Sequence, residues 1–169
     1  HDQTWDGFRF ANGQATSTGV VTFGGYVGDA APHHITMRRI TILRSCTGTA
    51  TTASAPATDH AFYISQAVGG PHDLLFEDIT VEGQGFLASA FHFDHSSPDN
   101  PNGWNITVRR LTVTGTQQAL MLWDDTIRDI TFETATITDA LKFAVRYEGG
   151  TGITLADMVS RGSGVRGFY

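Results

Sequence analysis

Apolar residues recur along this chain in a fixed rhythm: two apart, then three, then two. The rhythm runs through HITMRRITI (34–42), DLLFEDITV (73–81), NITVRRLTV (105–113), DITFETATI (129–137) and GITLADMVS (152–160), which align without a gap. The opening TWDGFRF (4–10) fits the same frame. In the first unit the apolar positions are Ile35, Met37, Ile40 and Ile42; in the third they are Ile106, Val108, Leu111 and Val113. A spacing of two is a strand with one buried face. The step of three is a corner that turns the next apolar positions inward again. Each unit therefore predicts two short strands joined by a bend.

A second motif follows each unit: GVVTFGG, AFYISQ, AFHFDH, ALMLWDD, AVRYEG and GVRGFY. These predict third strands whose inward residues are Val21/Phe23, Phe62/Ile64, Phe91/Phe93, Leu120/Leu122, Val145/Tyr147 and Val165. Three strands per turn, with turns of variable length, describe a parallel β-solenoid. Each rung leaves its edges to the next, so stacking creates the core.

Stacking the bends gives a test of the frame. The first corner position reads Asp6, Arg38, Glu77, Arg109, Glu133, and the second reads Gly7, Arg39, Asp78, Arg110, Thr134. Charge sign alternates from rung to rung, so neighbours attract, whereas a slip of one rung would set like charges together. We read this ladder as structural. Outward Thr columns (Thr36, Thr107, Thr131, Thr154 and Thr41, Thr80, Thr112, Thr136) and a small-residue column (Ala61, Ala90, Ala119, Ala144, Gly164) fit the same stacking.

The three-strand rung, the small-residue column and the variable loops resemble the right-handed parallel β-helix of the pectin-lyase-like superfamily. The resemblance spans essentially the whole chain and concerns the fold. It implies an all-β, right-handed parallel β-helix of about six rungs, forming a single domain over residues 1–169. The cap helix usual in that family is not found, and the last rung stops at Tyr169. The expectation is a fragment of a longer solenoid, or ends covered by flanking segments or by self-association.

Composition narrows the function classes. A net charge of −6 supplies no basic surface for nucleic acid and no polybasic patch for an anionic membrane. No apolar run approaches the ~18 residues of a membrane span. Cys46 is alone, so no internal disulfide forms. Nineteen glycines fit a chain of strands and turns.

Candidate chemistry gathers on the outward face of the third strands. One column there reads Thr22, Tyr63, His92, Met121, Arg146, Arg166, and the next reads Gly24, Ser65, Asp94, Trp123, Glu148, Phe168. Gln66, His95 and Asp124 lie at the strand exits. The other two outward faces carry mostly Thr and paired charge. Long N-terminal loops, 43–59 above all, would wall a groove on this face. In the pectin-lyase-like enzymes this is also the face that usually holds the substrate cleft. Glycoside cleavage needs two carboxyl groups flanking one bond. The candidates are Asp94, Asp124 and Glu148, with His92 and Arg146 beside them. Tyr63, Trp123 and Trp104 would stack on sugar rings, and His95 and Arg166 would add polar contacts. The spacing FDH, WDD and then an Arg strand loosely resembles the polygalacturonase order, but that family's Gly-His-Gly and Arg-x-Lys motifs are missing.

The leading expectation is a polysaccharide-cleaving protein, with hydrolysis slightly ahead of elimination because carboxylates outnumber cations on the face. Hydrolysis needs no cofactor. In a lyase the same three carboxylates would hold Ca²⁺ through oxygen ligands, with Arg146 or His92 as the base. The competing expectation is a non-catalytic module that binds glycan or a partner. The resemblance implies an extracellular location. His33, His34 and His60 are read as structural or wall residues. HFDH lacks a third ligand at zinc spacing, and ice binding is disfavoured because the Thr ranks lie either side of a charged corner.

Overall fold

The computed structural model describes residues 2–11, 19–24, 30–43, 59–65, 69–84, 87–93 and 103–169, with the Asp59 side chain excepted. Among them all regular structure is strand. In chain order the strands are β1 (Gln3–Asp6), β2 (Arg9–Ala11), β3 (Gly19–Phe23), β4 (His33–Arg38), β5 (Thr41–Leu43), β6 (Asp59–Ile64), β7 (His72–Glu82), β8 (Leu87–Phe93), β9 (Trp104–Thr114), β10 (Gln118–Leu122), β11 (Arg128–Thr138), β12 (Phe143–Tyr147), β13 (Thr154–Arg161) and β14 (Arg166–Phe168).

These strands form two sheets, and their pairings are parallel. The first runs β1-β4-β7-β9-β11-β13, with β2 and β5 continuing it beside β7; the second runs β14-β12-β10-β8-β6-β3. In each sheet a strand pairs with its counterpart from the next sequence repeat, an arrangement consistent with a β-solenoid. The gapless alignment is the observed register. Ile35 faces Leu74, which faces Ile106, which faces Ile130. The bend is local: β7, β9 and β11 run through it, and at the bend pairing skips one residue, the corner itself.

Both sheets turn their apolar columns toward one core. Phe62 and Phe91 stack with centroids 4.6 Å apart, and Phe76 of the first sheet meets both edge-on at 5.2 Å. Edge-to-face and offset contacts of this kind are the favoured aromatic geometries. All three side chains are fully buried.

The bends explain how strands this short turn so tightly. Arg39, Asp78, Arg110, Thr134 and Asp157 occupy one column and have φ between 50° and 58°, following Gly7 at 74°. A second left-handed column at the strand entries reads His34, Asp73, Asn105, Asp129, Gly152, and a third reads Gly115, Asp139, Gly162. One left-handed residue reverses the side-chain alternation, which produces the step of three in the sequence. Charged corner pairs form within the columns: Arg38 reaches Glu77 at 3.0 Å, Arg109 reaches Glu133 at 2.9 Å, and Arg110 donates to both Asp78 oxygens at 2.6 and 3.0 Å. Arg39 instead crosses to Asp6 of the other column, donating to it at 2.7 Å.

The final strand corrects the expected alignment. Phe143 pairs with Arg166 and Val145 with Phe168, three residues away from the predicted match of Val145 with Val165. Gly164 lies in the preceding turn instead of the small-residue column, and Arg166 leaves the His92–Arg146 column. Apolar side chains stay exposed at both ends of the stack: Trp5 and Phe8 at one, Val159, Val165, Phe168 and Tyr169 at the other.

Candidate functional site

Four neighbouring strands, β6, β8, β10 and β12, set the candidate face. Their register places Tyr63, His92, Met121 and Arg146 side by side, with Thr22 of β3 at the edge. Tyr63, His92 and Met121 are flanked on both sides by core residues, and Arg146 follows the buried Val145, so all four point away from the core. Outward does not mean solvated here: His92 and Met121 are 6% and 5% exposed, and Tyr63 and Arg146 are half-buried.

A local irregularity brings His60 onto the same face. Ala61 and Phe62 are both fully buried, and the rings of His60 and Tyr63, three residues apart, stack at 5.4 Å. The register shifts between Asp59 and His60. His60 consequently lies against β8. Its Nδ1 is 2.7 Å from Ser89 Oγ, and its Nε2 is 2.8 Å from His92 Nδ1. Burial, followed by the proximity of His92, pushes the His60 imidazole down to about 3. It is therefore neutral at ordinary pH, with one ring nitrogen donating and the other accepting.

Trp123 continues this group toward β12. Its ring lies nearly parallel to that of His92, 6.4 Å away, and the Arg146 guanidinium sits 4.8 Å from its centroid. Arg146 Nε donates to Glu148 Oε1 at 2.5 Å. Trp123 keeps 39% of its surface exposed, while Glu148 and Arg146 hold each other beside it. His60, Tyr63, His92, Trp123, Arg146 and Glu148 thus form one continuous set.

The remaining candidates fall elsewhere. Asp124 is 5% exposed, and its Oδ1 accepts the Thr126 amide at 2.6 Å, an Asx turn that closes the corner after β10. Trp104 opens β9 in the other sheet. Its Nε1 donates to the Gly69 carbonyl at 3.0 Å, Arg128 covers its face, and His72 meets it edge-on. Arg166 lies over Tyr169 at 5.3 Å. Asp94 and His95 lie outside the described residues, as does the long loop 44–58 expected to wall the groove.

From sequence His60 is read only as a structural or wall residue, and Ser89 is given no role. The available signal was their shared position two residues before Phe91 and Phe62, separated only by alanine. The other histidine group, His33, His34 and His72, packs at the entry of the first sheet, with His33 Nδ1 2.7 Å from His34 Nδ1. Burial lowers the proton affinity of His72; Asp73 opposes this, and His33 and His34 add to it. No family model, curated protein or solved structure matches this chain.

Proposed function

We propose that the protein holds a polysaccharide across the outward face of β6, β8, β10 and β12 and hydrolyses a glycosidic bond there. The observation that carries this reading is Trp123. An indole left 39% exposed, with a guanidinium on one side and a carboxylate beside it, offers an apolar platform to a sugar ring and hydrogen bonds to its hydroxyls. Glu148 is one carboxyl of the pair that hydrolysis requires, and the second is Asp94 or Asp124.

Hydrolysis is preferred to elimination because the Arg146 guanidinium, whose Nε and second terminal nitrogen both meet Glu148 Oε1, already supplies positive charge to a carboxylate that a Ca²⁺ would have to share with Asp94 and Asp124. Among the described residues, no three His, Cys, Asp or Glu side chains are grouped to hold a metal ion. The finer fold assignment belongs to the same reading: a right-handed parallel β-helix of about six rungs, of the pectin-lyase-like kind, working outside the cell. A second copy or flanking chain would cover its apolar ends.

A non-catalytic glycan-binding module is the second reading. It is favoured by the engagement of Asp124 with Thr126 and of Glu148 with Arg146. A screen of neutral and acidic polysaccharides, with and without Ca²⁺, separates the two. New reducing ends that disappear in Glu148→Gln support hydrolysis. Retention on a polysaccharide without new ends supports the binding module. Chelator-sensitive ultraviolet absorbance identifies elimination. The absence of both retention and cleavage overturns the assignment of this face.

A further inference from the structure

We propose that His60, held between Ser89 Oγ and His92 Nδ1, is a positioning residue that fixes the tautomer of His92, with hydrogen on Nδ1 and the lone pair on the buried Nε2. This rests on the reading of the third-strand face as a ligand site, and it adds a residue that neither carboxylate-based mechanism contains.

The geometry allows only two hydrogen arrangements. A neutral His60 carries one ring hydrogen, and it serves two contacts, at 2.7 Å to Ser89 Oγ and 2.8 Å to His92 Nδ1. In the first arrangement the hydrogen is on His60 Nδ1 and is donated to Ser89. His60 Nε2 then accepts from His92 Nδ1–H, and neutral His92 keeps its lone pair on Nε2. In the second arrangement the hydrogen is on His60 Nε2 and points at His92 Nδ1. His92 then carries its own hydrogen on Nε2, and Ser89 donates to His60.

Only the first arrangement survives protonation of His92. A charged imidazole has hydrogen on both nitrogens, so the second would set two N–H groups against each other at 2.8 Å. In the first, His92 gains and loses a proton at Nε2 while every other hydrogen stays in place. A pre-set hydrogen-bond partner of this kind is how a histidine is tuned for proton exchange.

The surroundings favour a neutral His60. Its ring is 7% exposed and stacked on Tyr63. On the β3 side its register partner is Gly19, which offers no side chain. Among the described residues, the groups facing His92 include Tyr63 at 5.3 Å and His60 at 4.1 Å between centroids, Met121 as register partner, and Trp123 at 6.4 Å. Arg146, paired with Glu148, lies on Trp123. Ser89 is fully buried, which keeps its hydroxyl on this string.

Nitrogen-15 spectra of the imidazoles, recorded from about pH 5 to 8 across the normal histidine range, test the assignment. The expected result is hydrogen on Nδ1 of both neutral rings, with His60 neutral throughout and any proton taken up by His92 going to Nε2. His60→Gln, whose amide oxygen can accept from Nδ1–H, preserves the His92 tautomer. His60→Phe removes the acceptor and releases it, and a thermal melt of each variant reports whether it folds. Hydrogen on Nε2 of neutral His92 in the unaltered protein overturns the proposal. So does a His92 tautomer unchanged in a folded His60→Phe. If that variant does not fold, the unaltered spectrum decides alone. The tautomer is read without any glycan, so the predicted spectrum combined with no polysaccharide retention would sink the glycan reading and leave the positioning role standing.

Discussion

Arg146 lies against Trp123, its guanidinium carbon 4.8 Å from the ring centroid, while its Nε is fixed 2.5 Å from Glu148 Oε1. The carboxylate thereby orients the guanidinium, which in turn holds the indole. Cation–π contacts are worth about 0.5–1 kcal/mol at exposed sites. Trp123→Ala is expected to weaken polysaccharide retention about tenfold or more, through loss of the platform. Arg146→Met, which keeps bulk and removes charge, weakens it by only a few-fold. Affinity electrophoresis in polysaccharide gels measures both. Equal retention by Trp123→Ala and the unaltered protein would remove the platform from the account.

The buried His60 imparts a pH dependence to stability. Its folded value, about 3, is depressed from the ordinary 6.5. The resulting stability is fully present above 6.5 and is lost as pH falls through that window toward 3. His60→Gln, which has no ionisable group, is expected to flatten the acid limb of a plot of urea midpoint against pH. An acid limb identical to that of the unaltered protein would place the sensitivity in other groups.

Asp78 acts in the same direction at lower pH. The hydrogen bond from Arg110 lowers its carboxyl below the usual value; desolvation opposes this, and the charges of Arg110 and Arg39 add to it. A depressed carboxylate stabilises the fold above its unfolded value near 3.9 and ceases to do so as pH falls through its lower folded value. Asp78→Asn should therefore be less stable than the unaltered protein at neutral pH and equal to it in strong acid. Salt should narrow the gap at neutral pH, because both side chains are exposed. Denaturant melts at two pH values and two ionic strengths check this.

Thr134 is the one β-branched residue in its left-handed column, at φ 58°. That conformation is unfavourable for a branched side chain, and Asn tolerates it far better. Thr134→Asn is expected to stabilise the protein by about 0.5–1 kcal/mol. The same substitution at the exposed strand position Thr136 should give no gain. Urea unfolding of both variants makes the comparison.

Much of the fold was legible in the residues themselves. Ile106, Val108, Leu111 and Val113 repeat so regularly that only one alignment places Arg38, Glu77, Arg109 and Glu133 in a column. The last strand was not legible. GVRGFY resembles AVRYEG in spelling, but with only one apolar anchor the turn after Gly162 could set the register either way, and the backbone pairs Phe143 with Arg166. The candidate site was legible in its columns and obscure in its contacts. Alternation placed His92 and Met121 outward without revealing that both are buried. The change of direction at Ala61 hid His60, because a count by twos from Phe62 assigns it to the core side.

The alternation of Glu77, Arg109 and Glu133 also governs how such a chain lengthens by tandem duplication. Copying one repeat would insert Arg beside Arg or Glu beside Glu and oppose the new strand at its corner. Copying two repeats, as in residues 72–127, carries one Glu and one Arg and restores the alternating order. The viable increment of growth at this ladder is therefore a pair of repeats.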